Sequence, residues 1–497
     1  MEPWPKNPLL YEINTWVWLD ELSREAGRPL TLATVPGAVW DAVAALGFDA
    51  VWLMGVWERS PAGTRIAERN AGLMADFRRA LPDFADQDNV GSPYCVRRYV
   101  VDAHLGGPEG LARARRQLAE RGLRLILDFV PNHVALDHPW ATEHPEYFIR
   151  GDAPELAAGA DRFTAVAGTV YALGRDPYFP AWPDVLQLNA FAPGLRAAVI
   201  ETLRDIAGQC DGLRCDMAML LVDDVFQRTW GERAGARLRT DYWREVIPAV
   251  RAARPEFLFI AEAYWDMEWE LQQQGFDFCY DKRLYDRLEH GEALGVRRHL
   301  EADPAYQAKL VRFVENHDEP RAHAAFGPSR HRAAAVAALT LPGCGLVHEG
   351  QLEGRRVRVP VFLARRPIEP PDGERTELGA FYRKLLTALR DGGFKDGSWS
   401  LCDSKGWPDN DSHRNLPCWG WLARASRCLV VVNLSEAPAQ GRLSCPWDDI
   451  GGACWRLRDV LASTVYDRDG DELLSRGLYV DLPGFGVHFL EWSRRDR

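Results

Sequence analysis

Eight short apolar segments recur along this chain with helix-like stretches between them, and that order leaves few folds open. LLYEINTWVW (9–18), FDAVWLMGV (48–56), LRLILDFV (123–130), DGLRCDMAM (211–219), FLFIAEAY (257–264), FDFCYDK (276–282), LVRFVENHD (310–318) and CGLVHEG (344–350) read as strands. Residues 39–47, 110–122, 194–210, 240–252, 331–340 and 377–393 read as helices, several of them stopped by glycine. Strand and helix in alternation, with eight strands, predict an α/β protein built on a closed (β/α)8 barrel.

The rhythm breaks in three places. Residues 134–190, after the third strand, are Pro- and aromatic-rich and too long for a barrel loop, so a small inserted subdomain is expected there. ARRPIEPPDGERT (364–376) is a charged, Pro-rich loop after the eighth strand. From residue 394 the pattern turns to short strands such as RCLVVVNLS and GVHFLEW, which predict a C-terminal antiparallel β-sandwich. The expected organisation is a barrel from 1–133 and 191–393, an insert at 134–190 and a sandwich at 394–497.

In a barrel of this kind the C-terminal strand ends converge on one face, so a residue that closes a strand segment becomes a site candidate. Three segments close on an acid: GLRCD on Asp216, LFIAE on Glu262 and VENHD on Asp318. Arg214 and Asp216 are two apart on a strand and share a face. A guanidinium there lowers a carboxyl pKa and keeps it ionised, as a glycosyl nucleophile needs. The same spacing suits a buried ion pair that only sets packing. Glu262 sits among apolar and aromatic residues, which raise a carboxyl pKa and suit a general acid; a helix-start Glu is the plainer reading. His317 and Asp318 end their strand before Pro320. A neutral imidazole and a carboxylate there can bind sugar hydroxyls, or form an ordinary turn. In DFVPNH, Asn132 and His133 stand at another strand tip, where a lone His often serves structure alone.

The net charge of −11 argues against nucleic acid or an anionic membrane surface as partner. The N-terminus has no signal-peptide pattern and no run is long enough to span a membrane. The ten cysteines show no CxxC pairing, so free thiols in a reducing cytoplasm are expected. The many Trp and Tyr suit a core, and some could be sugar platforms.

DFVPNH, GLRCD, the Glu of AEAYW and ENHD resemble, in order and separation, the four short motifs of the α-amylase family of retaining glycoside hydrolases. The resemblance covers nearly the whole chain. It implies that Asp216 is the nucleophile, Glu262 the acid/base and Asp318 a transition-state stabiliser. It also implies that Arg214 orients Asp216, that His133 and His317 bind the sugar at the cleavage point, and that Tyr94 lies under it. WPDVLQLN (182–189) resembles a fifth family motif at the exit of the insert.

Two departures stand out. Arg98 follows Tyr94 by four, where many relatives carry Asp, and Met219 and Leu220 stand where many α-amylases carry Lys and His. In calcium-dependent relatives the ion uses the Asn matched by Asn132 and the backbone carbonyl at the position of Leu220. The acids of the insert, Asp152, Glu155, Asp161 and Asp176, show no calcium-loop spacing and are expected on a solvated surface, so no metal and no organic cofactor are expected. The expectation is a retaining glycosidase on α-linked glucosides, with α-1,4-glucans or maltooligosaccharides as substrates. A transglycosylase or isomerase using the same carboxylates is the nearer alternative, and a non-catalytic glycan-binding protein the farther one.

Overall fold

The computed structural model describes residues 3–159, 161–423 and 426–495. Eight parallel strands close into a barrel: β1 (Leu9–Asn14), β2 (Ala50–Met54), β3 (Arg124–Phe129), β4 (Gly212–Cys215), β5 (Leu258–Ala261), β6 (Phe278–Tyr280), β7 (Leu310–Arg312) and β8 (Cys344–His348). Each pairs with its sequence neighbour, and β8 returns to β1 with Gly345 opposite Leu9. All eight are the segments expected from the sequence, and nearly all of their residues are buried. The strands carry an unbroken apolar run because helices cover the outside while side chains fill the inside.

The first strand is shorter than its sequence suggests. TWVW leaves the barrel and opens the helix Thr15–Ala26, with Thr15 to Leu19 buried, Asp20 to Ser23 half-buried and only the last turn exposed. Apolar runs do not by themselves separate a strand from a buried helical turn. A second difference lies between β2 and β3. That connection holds a two-stranded ribbon, Trp57–Arg59 with Val96–Val101, and the helices Pro61–Arg69 and Ala71–Ala80. Its short strands and polar helices carry little periodic signal. Gly55 makes the turn into it at φ +78°, where a Cβ would lie 2.9 Å from both Arg59 and Pro93.

The expected insert after β3 is a four-stranded sheet, in the order His133–Ala135, Trp182–Gln187, Thr169–Gly174, Phe163–Val166. It takes its first strand at His133, directly off the barrel. The C-terminal region forms a six-stranded and a three-stranded antiparallel sheet. Along Cys418–Ala423 and Ser426–Val432, alternate residues face opposite ways. Cys418, Leu429 and Val431 pack with Ala439, Leu443, Val480 and Leu482 of the smaller sheet. Trp419, Trp421, Val430 and Val432 belong to the barrel core. The larger sheet is therefore covered on both sides, which accounts for the continuous run LVVV. The indoles of Trp419 and Trp421 donate to Thr340 Oγ1 and O, at 3.1 and 2.7 Å, at the end of helix Pro328–Leu339. That helix is buried from Ala333 to Leu339, and its alanines allow close packing between barrel and sheet. All ten cysteines are free, eight of them buried. No described helix is long and apolar enough to cross a membrane.

Candidate active site

β4 and β5 pair with Cys215 opposite Ala261, so the next residues, Asp216 and Glu262, leave the barrel side by side. Their backbones are about one strand spacing, ~4.8 Å, apart. Arg214 Nη1 donates to Asp216 Oδ1 at 2.7 Å, and Nη2 lies 2.7 Å from Glu262 Oε2. One fully buried guanidinium thus ties the two acids together. It lies against the rings of Tyr94, Trp52 and Tyr280, 5.1, 5.6 and 5.8 Å from their centroids. Flat aromatic faces hold a planar cation without competing for its N–H groups.

Glu262 begins no helix; the next one starts at Glu268. It accepts from the Met217 N–H at 2.6 Å and from the Tyr264 hydroxyl at 3.0 Å. Met217 reaches that position at φ +44°, a left-handed backbone unusual for a side chain of its kind. Burial pushes the Glu262 carboxyl up to about 7; Arg214 opposes the rise, and Asp216 and Asp318 add to it.

Burial also raises Asp216, and here the sequence reading is corrected: Arg214 opposes the rise but does not bring the carboxyl below its ordinary value. The charge of Arg214 is divided between two acids, and desolvation outweighs each share. Asp216 holds the direct guanidinium hydrogen bond. Both carboxyls are thus raised together, and acids this close titrate as a pair.

A second correction concerns His317. Its Nδ1 meets Glu12 Oε1, and its Nε2 lies 2.9 Å from Asp318 Oδ2 and 2.6 Å from the Tyr94 hydroxyl. Burial alone would lower its pKa, but Asp318 and Glu12 together lift it to about 10. His317 is therefore an imidazolium, not the neutral ring expected. Asp318 in turn is held well below the usual carboxylate range: burial works against its charge, and the His317 cation prevails. His133 takes the opposite state. Burial lowers it to about 4, its ring packs 5.1 Å from that of Trp182, and Asn132 Nδ2 lies 3.3 Å from its Nδ1. Asp216, Glu262, Asp318, Arg214, His317 and Tyr94 thus form one contact network. His133 opens the first strand of the insert and meets the network through a hydrogen bond with the Tyr94 backbone.

Sequence reasoning missed Glu12, Asp128, Tyr264 and Gln187. Glu12, fully buried in β1, carries His317. Asp128, opposite Arg214 on β3, accepts from the Trp52 indole at 3.1 Å and the Gly55 N–H at 2.8 Å, and burial lifts it to about 6. A lone acid inside an apolar strand was the available signal for both. Beside Glu262 opens a cavity of about 450 Å³, lined by Met217, Tyr264, Trp265 and Phe179 with Lys282 and Asp286 among its polar residues. Its rim carries Tyr178 and Phe179, 63% and 66% exposed, with Tyr178 packed edge-on to Trp265.

Residues elsewhere have structural partners. Arg98 pairs with Glu58 on the ribbon between β2 and β3. Asp152 caps the helix Ala153–Ala158, and Glu155 pairs with Arg233. Asp176 departs from the expected surface position: it is buried and accepts from the Tyr178 and Phe179 N–H groups. Among the described residues no three His, Cys, Asp or Glu side chains gather as metal ligands. Both oxygens of Asn132 face the side-chain NH2 of Gln187, a donor where calcium would need further oxygen ligands. The residues present at this seam do not fit a calcium ion.

Fold and site define a (β/α)8-barrel protein with an insert after β3, a C-terminal double sheet and a buried cluster of acids around one arginine at the C-terminal barrel face. No family model matches the chain. The α-amylase MalA of Haloarcula japonica is 25% identical over 71% of this chain and 45% of its own length. α-Amylase 3 of Dictyoglomus thermophilum is 22% identical over 57% of this chain and 58% of its own. The chain thus spans about half the length of these curated relatives. The structure of the maltogenic α-amylase AmyB of Thermotoga neapolitana superposes with a TM-score of 0.67, over 98% of this chain and 99% of that one, at 19% identity, which shows the shared fold. In sequence the chain is similar to these α-amylases, and it shares the fold of the α-amylase structure.

Proposed function

We propose that the protein is a retaining enzyme acting on α-glucosidic bonds, with α-1,4-glucans or maltooligosaccharides as substrates. The observation that carries this is the Asp216–Arg214–Glu262 cluster: two acids that leave neighbouring strand ends and share one guanidinium, with the Glu262 carboxyl raised to about 7. Retaining glycosidases need carboxyl groups about 5–5.5 Å apart, while inverting ones leave room for a water between them. Neighbouring parallel strands suit the narrower gap.

In the proposed reaction Glu262 gives its proton to the glycosidic oxygen. Asp216 attacks the anomeric carbon, and the bond to the leaving sugar breaks as a glycosyl ester forms. Glu262, now a carboxylate, takes a proton from water, whose oxygen attacks the same carbon and frees Asp216. Arg214 contacts both acids in turn as the negative charge passes from Asp216 to Glu262 and back. Asp318, kept ionised by His317, accepts hydrogen bonds from sugar hydroxyls that strengthen as the ring flattens. No organic cofactor takes part.

A second reading, transfer to a sugar instead of water, draws support from the cavity beside Glu262. Its Tyr264, Trp265 and Phe179 offer aromatic faces to an acceptor sugar. The test is to incubate the protein with maltooligosaccharides, starch, sucrose and trehalose, with and without added glucose or maltose, and to resolve the products by chromatography. Shortened glucans alone support hydrolysis. Longer or rearranged products that grow with added acceptor support transfer. No turnover of any α-glucoside overturns both readings.

A further inference from the structure

Gln187, the last residue of the strand Trp182–Gln187, is fully buried at the seam where β3 passes into the insert. Its Nε2 donates to three oxygens: Asn132 O at 3.0 Å, Asn132 Oδ1 at 2.9 Å and Leu188 O at 3.0 Å. Its Oε1 accepts from Asn132 Nδ2 at 3.2 Å and from the Arg175 N–H at 3.4 Å. The backbone of Asn132 is held from the same side, accepting from the Leu188 N–H at 3.1 Å. Three oxygens converging on one buried point form part of the kind of oxygen shell that takes a cation. Here a neutral NH2 stands at that point, and both ends of the Gln187 amide are satisfied.

We propose that the Gln187 amide is an internal, metal-free staple: it fills a cation-shaped oxygen shell and so joins the barrel to the insert without an ion. A neutral donor suits this place because a buried cation would need charged ligands to offset its desolvation, and Asn132 and Leu188 supply only carbonyls. The staple acts at the root of the insert, one residue from His133. The inference concerns how the fold is held and stands whether or not the proposed reaction is correct.

The experiment is thermal unfolding of the full-length protein in chelator and in millimolar calcium, for wild type and two variants. Wild type is expected to melt at the same temperature in both; a calcium-reversible rise of several degrees would overturn the proposal. Gln187→Leu keeps the bulk and leaves the three oxygens without their donor. Its melting temperature should fall by roughly 5 °C, without response to calcium, and brief proteolysis should cut within 134–190 first. A melting temperature equal to that of wild type would overturn the staple. Gln187→Glu keeps the shape and puts a carboxylate oxygen against the shell. It should melt low in chelator and recover with calcium, because the shell then has the missing charged ligand. A Gln187→Glu protein indifferent to calcium would overturn the cation-shaped reading of the shell.

Discussion

Arg214 Nη2 lies 2.7 Å from Glu262 Oε2, across the seam between β4 and β5. The arginine that the sequence assigns to Asp216 is thus shared with the proposed acid, and the protonation of Glu262 depends on it. Burial lifts Glu262 to about 7 against the pull of Arg214. The pH profile of kcat should therefore fall on the alkaline side with an apparent pKa of about 7, as Glu262 loses the proton it must donate. Arg214→Lys cannot span both acids. It should lower kcat and move the alkaline limb upward, because the carboxylate loses part of its stabilisation. A limb left in place would remove Arg214 from the control of Glu262.

Asp216→Asn keeps size and hydrogen bonding but removes the attacking charge. Kcat on the best α-glucoside should fall by about 10⁴-fold or more, with substrate affinity and melting temperature little changed. Turnover near that of wild type would show that Asp216 is not the nucleophile.

Side-by-side placement of Asp216 and Glu262 predicts net retention. Proton NMR during the first minutes of turnover should show the α anomer of the new reducing end before mutarotation. The β anomer appearing first would point to inversion and to a water between the two acids.

His317 is raised from its ordinary value to about 10 by Asp318 and Glu12. A folded pKa above the unfolded one means that the folded state keeps its proton longer. The stabilisation is complete below pH ~6.5 and is lost as pH rises through about 10. Unfolding free energy should therefore decline between those limits. In His317→Gln the slope over this window should flatten, while Glu12 and Asp318, left without their cation, lower stability at neutral pH. Denaturant titrations from pH 6 to 10 measure both effects, and an unchanged slope would contradict the imidazolium assignment.

The eight barrel strands were legible in the sequence because each is buried on both faces and so reads as a short apolar run between helices. The acids that end β4 and β5 were legible for a related reason: a charge directly after such a run must lie at the barrel mouth. The helix Thr15–Ala26 was hidden because its buried turn, TWVW, continues the apolar run of β1 without a break. The ribbon and helices between β2 and β3 were hidden because their pattern is weak and their packing is set by distant loops. Only the tertiary structure decided the charges. Whether Asp216 is lowered by Arg214 or raised depends on how far the closed barrel buries it, with Asp318 and Asp128 adding to the rise; whether His317 is neutral or a cation depends on Asp318 beside it and on Glu12 arriving from another strand. Glu12 and His317 are 305 residues apart, and Gln187 meets Asn132 across 55. Local composition fixes which segments must be buried, through the hydrophobic effect. Protonation and polar pairing depend on distance and desolvation, and those exist only once the barrel has closed and brought the strand ends together.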